Sequence, residues 1–289
     1  MECEKAGLPS VTLISTPFVP LARTQSRILG VPSLATVVLE HPIAGTPLDS
    51  VLAKVDAALD EIVARLTGPL AAAPEVAQAS AEWIDLAIGP DFTDAQQALF
   101  AQGWTDGLPA IPPTEERIRA MLAFTDGPRD RVAGIVAPRM GAATLEVIAA
   151  NAVMAGCRPA HMPVLVAAVE AMADPSFNLY GVQCTTHCVA PLMIVNGPLA
   201  AALGIHAGNN LFGPGPWQNG VIGRALRFIL LNVGGGKPGE IDKATMGHPG
   251  KYTFCIAEKE SASPWSSLRA ERGFDAGTST VTMVGGEAP

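Results

Sequence analysis

The chain has 289 residues, enough for one large domain or two ordinary ones. Apolar residues make up 48% and charged residues only 16%, so a large core, extensive subunit contacts or both are expected. The net charge of −8, the absence of basic runs and the lack of any apolar stretch near ~18 residues argue against nucleic-acid binding and against a membrane-spanning helix.

Met1-Glu2-Cys3-Glu4-Lys5 carries neither the basic start nor the apolar run of a signal peptide. The five cysteines, Cys3, Cys157, Cys184, Cys188 and Cys255, are odd in number and scattered, unlike a disulfide framework. A reducing, cytoplasmic setting is the simpler expectation.

In chain order, Glu2 to Ala6 reads as the last turn of a helix stopped by Gly7, and Ser10 to Ser15 as a buried strand. A helix from about Leu21 to Leu29 ends at Gly30, and Thr36 to Leu39 is a second short strand. Strand and helix in alternation is the rhythm of a doubly wound parallel sheet. Two strands are only part of such a sheet, so residues 1–47 are expected to be the later part of a domain. After the turn-rich joint His41 to Pro47, Asp49 to Leu66 has apolar residues at 52, 55, 59, 62, 63 and 66, one helical face. The Ala/Pro stretch Pro69 to Ser80 reads as a linker, so 48–90 is helix and linker, with the domain boundary near residue 90.

Residues 91–289 are expected to form a larger mixed α/β (α+β) domain. Helices are predicted over Thr93 to Gly103 and from Pro113-Thr114 to Phe124, and a strand over Val132 to Ala137. Ala142 to Gly156 and Pro163 to Ala173 are apolar almost all round, so both are expected to be buried helices. Leu192 to Val195 is a core strand, Asn219 to Val233 a long helix stopped by Gly234-Gly235-Gly236, and Tyr252 to Ala257 and Thr280 to Val284 are further strands.

Gln183-Cys184-Thr185-Thr186-His187-Cys188 is the densest reactive stretch. Read as extended, it puts Cys184, Thr186 and Cys188 on one face and His187 on the other. Cys-x3-Cys beside a His leaves three readings open: zinc, buried neutral thiols, or a reactive thiol. No two histidines stand at helical spacing, so no local metal motif is present, and no cofactor is indicated. His187, His206 and His248 each sit in a loop rich in Gly, Thr, Asn or Pro, where catalytic groups often lie.

The long loop Gly204 to Asn219, with Asn209, Asn210 and Trp217, precedes a helix whose free N–H groups suit a carboxylate or phosphate; a subunit interface is the bland alternative. It matches no nucleotide fingerprint. Glu146, in an apolar helix, needs a partner or a raised pKa, and Arg224 and Arg227 are candidate partners. A structural ion pair and an acid–base role both remain open for it. No Gly-x-Ser-x-Gly elbow is present, which removes the commonest serine-hydrolase reading.

The run Gly247-His248-Pro249-Gly250-Lys251-Tyr252-Thr253-Phe254-Cys255, with Ala257-Glu258 and Ser263-Pro264-Trp265, resembles the C-terminal module of the UGSC-motif (seleno)protein family. So do Asp106-Gly107-Leu108-Pro109 with Pro112-Pro113-Thr114, and Pro191 to Pro198. Glu4 to Pro9 and the strand after it resemble the later half of that family's other domain, which is similar to the selenoprotein B component of glycine reductase. The family's Sec/Cys-Gly-Ser-Cys motif occurs nowhere in the chain. Its place falls just before the helix ending at Gly7, so the chain is expected to be truncated, either because a UGA codon is misread as a stop or because a second polypeptide supplies the missing half.

The resemblance implies a thiol- or selenol-dependent reductase or lyase that cleaves a carbon–heteroatom bond in a small molecule, with the nucleophile outside the chain. His187, His206, His248, Cys184, Cys188 and Glu146 are then the catalytic candidates, and Asn209, Asn210, Trp217, Asn219, Arg224 and Lys251 the substrate-binding ones. Alternatives are a metal-dependent hydrolase or lyase using the His and Cys residues, and a non-catalytic assembly subunit. A homo-oligomer, or association with a chain supplying the N-terminal half, is expected.

Overall fold

Thr12–Ser15 (β1) and Thr36–Leu39 (β2) are short, β-branched-rich segments joined through the helix Val19–Ile28 (α1), which suits a parallel crossover. They pair in parallel, Thr12 opposite Thr36 through Ser15 opposite Leu39. The structure, a computed structural model, describes residues 3, 8–28, 31, 33–68 and 91–287. The expected helix stops at Gly7 and Gly30 and the linker Pro69 to Ser80 lie outside the described residues. The chain divides into two units, 1–78 and 79–289.

In the first unit the 20-residue helix Leu48–Thr67 (α2) lies against β2. Its inward residues Ala58 and Ile62 meet Val37 and Leu39 in a small apolar cluster with Val11 and Ile43. The strand-helix-strand order and parallel pairing make one crossover unit of a parallel sheet.

The second unit holds a much larger core. It opens with helices Phe92–Ala101 (α3) and Glu115–Leu122 (α4), each started by a side chain that caps the first turn, Asp91 on the Thr93 N–H and Thr114 on the Arg117 N–H. Val132–Val136 (β3) then pairs with Gly141–Thr144 (β4) as an antiparallel hairpin. The sequence predicts helix from Ala142, and this is a correction. Thr144 caps helix Leu145–Ala155 (α5) through the Val147 N–H, so the helix cannot begin before it, and the small residues ahead of the cap fold back on β3. α5 ends at Gly156, whose φ of 91° suits a residue without Cβ.

α5, Met162–Ala173 (α6) and Trp217–Asn232 (α9) pack together, and α5 and α6 are buried almost all round. The short helix Leu179–Gln183 (α7) leads towards Ala190–Asn196 (β5), the centre of a three-stranded sheet. β5 is followed by Pro198–Leu203 (α8) and pairs in parallel with Cys255–Ala257 (β6) and antiparallel with Thr280–Gly286 (β7). The short helix Leu268–Glu271 (α10) lies between those two partners in sequence. Both units are mixed α/β.

Candidate functional site

Parallel pairing of β5 with β6 and antiparallel pairing with β7 bring three segments to one end of this sheet. They are the approach to β5 (184–189), the approach to β6 (248–254) and the exit of β7 at Glu287. His187, Cys188, His248 and Glu287 therefore gather there from positions up to 100 residues apart. The stretch 184–188 is not extended, contrary to the facing argument made from sequence. Cys184 is the last cap of α7, and Thr185 accepts from the His187 N–H two residues on, turning the chain. The Thr186 carbonyl accepts from both the backbone and the hydroxyl of Thr245, which ties this turn to the segment 237–252.

That segment forms one wall of a cavity of about 630 Å³, inside the range usual for small-molecule sites. Its polar wall is Thr105, Asp106, Arg227, Asp242, His248 and Lys251, and Leu231, Met246 and Tyr252 supply apolar surface. Asp242 is the hub. Its side chain is 4% exposed, accepts from Lys251 Nζ at 2.7 and 2.9 Å, and meets Arg227 Nη2 at 3.4 Å. Arg227 also donates to the Gly236 carbonyl, and burial pushes its pKa down against the pull of Asp242. Behind this, Arg224 grips Asp106 through Nε (2.7 Å) and Nη2 (2.8 Å), and the same guanidinium donates to the carbonyls of Leu108 and Pro109. The Asp-Gly-Leu-Pro turn is thereby fixed to α9.

His248 has a more constrained part than sequence suggested. Its Nδ1 accepts from the Gly250 N–H at 3.0 Å, so the neutral ring carries its proton on Nε2. Nε2 is enclosed and makes no direct hydrogen bond among the described residues, its only backbone influence of that kind being the weaker one of Cys188. The ring stands edge-on to Phe254 at 5.6 Å. Burial, then the Lys251 charge, lowers its pKa, while the Cys188 backbone and Glu287 act the other way. The cap holds the Pro249–Lys251 turn, and so places the Lys251 ammonium.

The other candidates are spread more widely. His187 is 58% exposed and pairs with Glu287. His206 Nε2 meets the Asn209 carbonyl at 2.9 Å. Asn219 clasps the loop before α9, accepting from the His206 N–H and donating to the carbonyls of His206 and Leu211. Asn210, at φ 59°, donates to the Pro214 carbonyl, and Trp217 packs beside Arg158 and His161. Glu146 pairs with Arg129, not with Arg224 or Arg227 as sequence suggested. It stands in the first turn of α5, where Arg129 reaches it, while the two α9 arginines are held by Asp106 and Asp242.

Cys184 is pushed up to about 11, because burial and the Asp242 charge outweigh the neighbouring Tyr180 hydroxyl. Burial likewise pushes Cys255 up to about 12 and raises Cys157. All three are thiols at neutral pH. Among the described residues no three His, Cys, Asp or Glu side chains are placed to hold a metal ion.

His161 and His248 share a pH consequence. Burial is the first cause of the lowered pKa of each, so the unfolded chain, with its ordinary value near ~6.5, binds protons more readily than the fold. Their contribution to stability is complete above about pH 6.5 and is lost as pH falls below it. The melting temperature is expected to drop between about pH 7 and pH 5, and less steeply in His161→Asn.

Asp106, Arg227 and Asp242 are site residues that sequence reasoning did not single out as such. Asp106 stands in a motif that carries the family resemblance, a signal that could have raised it. Asp242 has none.

The UGSC family model matches residues 1–68. No curated protein and no solved structure matches the chain.

Proposed function

We propose, on the premise that residues 1–68 fall within the UGSC family, that the protein is part of a thiol- or selenol-dependent reductase or lyase acting on a small molecule. The cavity beside β5 and β6 is the substrate pocket of this reading. A thiolate or selenolate forms a bond to a substrate carbon as the carbon–heteroatom bond breaks, and the leaving group departs with the bonding pair and takes up a proton. A thiolate of the dithiol then attacks that sulfur or selenium, the carbon leaves with the bonding pair and takes up a proton, and the second thiol frees the nucleophile as the dithiol closes to its disulfide. Cys184 is held as a thiol by its burial and does not fit the nucleophile's part, which this reading gives to the Sec/Cys-Gly-Ser-Cys motif of the family resemblance, a motif the chain does not carry. Lys251, whose ammonium reaches the cavity wall, is the group best placed to stabilise or protonate the departing atom.

The single observation that carries this reading is the cavity with the Arg227–Asp242–Lys251 cluster in its wall. The test measures release of the heteroatom group from a panel of small substrates by the chain mixed with a polypeptide that carries the Sec/Cys-Gly-Ser-Cys motif, with a dithiol as reductant. Turnover is expected to require the dithiol, to survive chelation, and to fall at least about tenfold in Lys251→Met. His187→Ala, measured in parallel, is expected to have a smaller effect, because the ring is turned to Glu287. Turnover that ignores the dithiol and stops on chelation would replace this reading with metal-dependent hydrolysis or lysis.

A further inference from the structure

We propose that the cavity takes a small carboxylate with an apolar body, the carboxylate set against Lys251 and Arg227 and the body against Leu231 and Tyr252. This rests on reading the cavity as the substrate pocket.

Charge balance in the wall supports the anionic end. Asp106 is gripped through both oxygens by Arg224, so that pair cancels. Asp106 also acts on Arg227 through space, but Asp242 is the carboxylate in contact with Arg227 and Lys251. The three cations Arg224, Arg227 and Lys251 against the two carboxylates leave the cluster one positive charge in excess at a largely buried place. The donors are present as well. An ammonium has three N–H groups, and Lys251 directs its ammonium at Asp242 through two contacts. Among the described residues, the hydrogen bonds of Arg227 leave from Nη2 alone, so the rest of its planar fork is open to a second acceptor. One excess charge and two adjacent donor groups match a monoanionic carboxylate. A neutral amide would leave the charge uncompensated, and a phosphate dianion would overshoot it.

The apolar body follows from the remaining wall. Leu231 lines the cavity, while Tyr252 is about half exposed and Met246 is 92% exposed beside it. Such exposed apolar groups at a cavity mouth gain by being covered.

Ligand-observed NMR titration of the full chain with phenylacetate, phenylacetamide and inorganic phosphate tests this directly. Phenylacetate is expected to bind at least about tenfold more tightly than either of the others. Lys251→Met, checked for folding by circular dichroism, is expected to loosen phenylacetate by about tenfold or more, while Lys251→Arg largely retains it. Tyr252→Ala, a surface change with little risk to the fold, is expected to weaken phenylacetate and leave acetate unaffected. Equal binding of phenylacetamide, or no phenylacetate binding at all, would overturn the inference. The two readings also fail separately. Phenylacetate binding without dithiol-dependent turnover, the motif-bearing polypeptide being present, keeps the carboxylate site and removes the proposed activity. Dithiol-dependent turnover of a neutral compound, with no binding of phenylacetate, does the reverse.

Discussion

Replacing Asp242 with alanine is expected to destabilise the unit 79–289 by about 3–5 kcal/mol, because it strips the counterion from two cations at once. The side chains of Arg227 and Lys251 are only 9% and 13% exposed, so neither can recover full hydration where it stands. The carboxylate also accepts from the Ala244 N–H and so holds its own turn, a bond that alanine loses. For a unit of this size each kcal/mol moves the melting temperature by ~2–4 °C, which makes a fall of about 10 °C the expected reading. A double-mutant cycle separates the ion pair from general damage. Asp242→Ala combined with Lys251→Met should be less destabilised than the sum of the two single changes, because the second removes one of the charges the first strands. Additive effects would mean that the Asp242–Lys251 contact carries no coupling. The same change reports on Cys184. Asp242 is one of the causes that raise this thiol's pKa, so removing it should make Cys184 more reactive towards a disulfide reagent, although burial keeps the thiol form dominant.

The contrast between fold and site follows from the range of the interactions involved. α5, α6 and β5 were legible because each is apolar along most of its length, and burial follows from composition alone. β4 was not. Gly-Ala-Ala-Thr suits the start of a helix as well as a strand, and the choice is made by Thr144 capping α5 and by pairing with β3. Lys251, His248 and Cys184 were visible as unusual residues in unusual loops. Their arrangement was hidden because it depends on the register of three strands that meet only in the folded sheet. The ion pairs were less legible still. Arg224 and Asp106 are 118 residues apart, and Arg227 suggests Glu146 as a partner only because both stand in apolar helices, which do pack together. Both carboxylate partners sit in ordinary turn sequences, where an acidic residue carries no signal of burial. The expectation from sequence that Glu146 needs a partner was thus sound, but the partner itself, Arg129, could not be read.

Two alanine substitutions on α9, three residues apart, are expected to move stability in opposite directions. A Cβ at Gly223 would lie 2.4 Å from Thr253 Oγ1 and 2.5 Å from the Phe254 backbone nitrogen, so the segment entering β6 would have to move. That backbone is held from both sides, by the Met193 N–H donating to the Phe254 carbonyl and by the Thr253 hydroxyl donating to the carbonyls of Asn219 and Gly220. Overpacking of this kind costs about 1–3 kcal/mol, and the better helix propensity of alanine returns at most ~1 kcal/mol. A Cβ at Gly220 meets nothing within 4 Å, so there alanine keeps the propensity gain and should stabilise by about 0.5–1 kcal/mol. Urea unfolding of the two variants measures both signs in one host. The displaced segment is also the one that leads from the Lys251 turn into the sheet, so Gly223→Ala should weaken ligand binding in the cavity as well, whereas Gly220→Ala should leave it intact. Destabilisation of equal size at both positions would mean that α9 resists any added side chain, and that the close approach of its Gly223 face to β6 does not position the cavity wall.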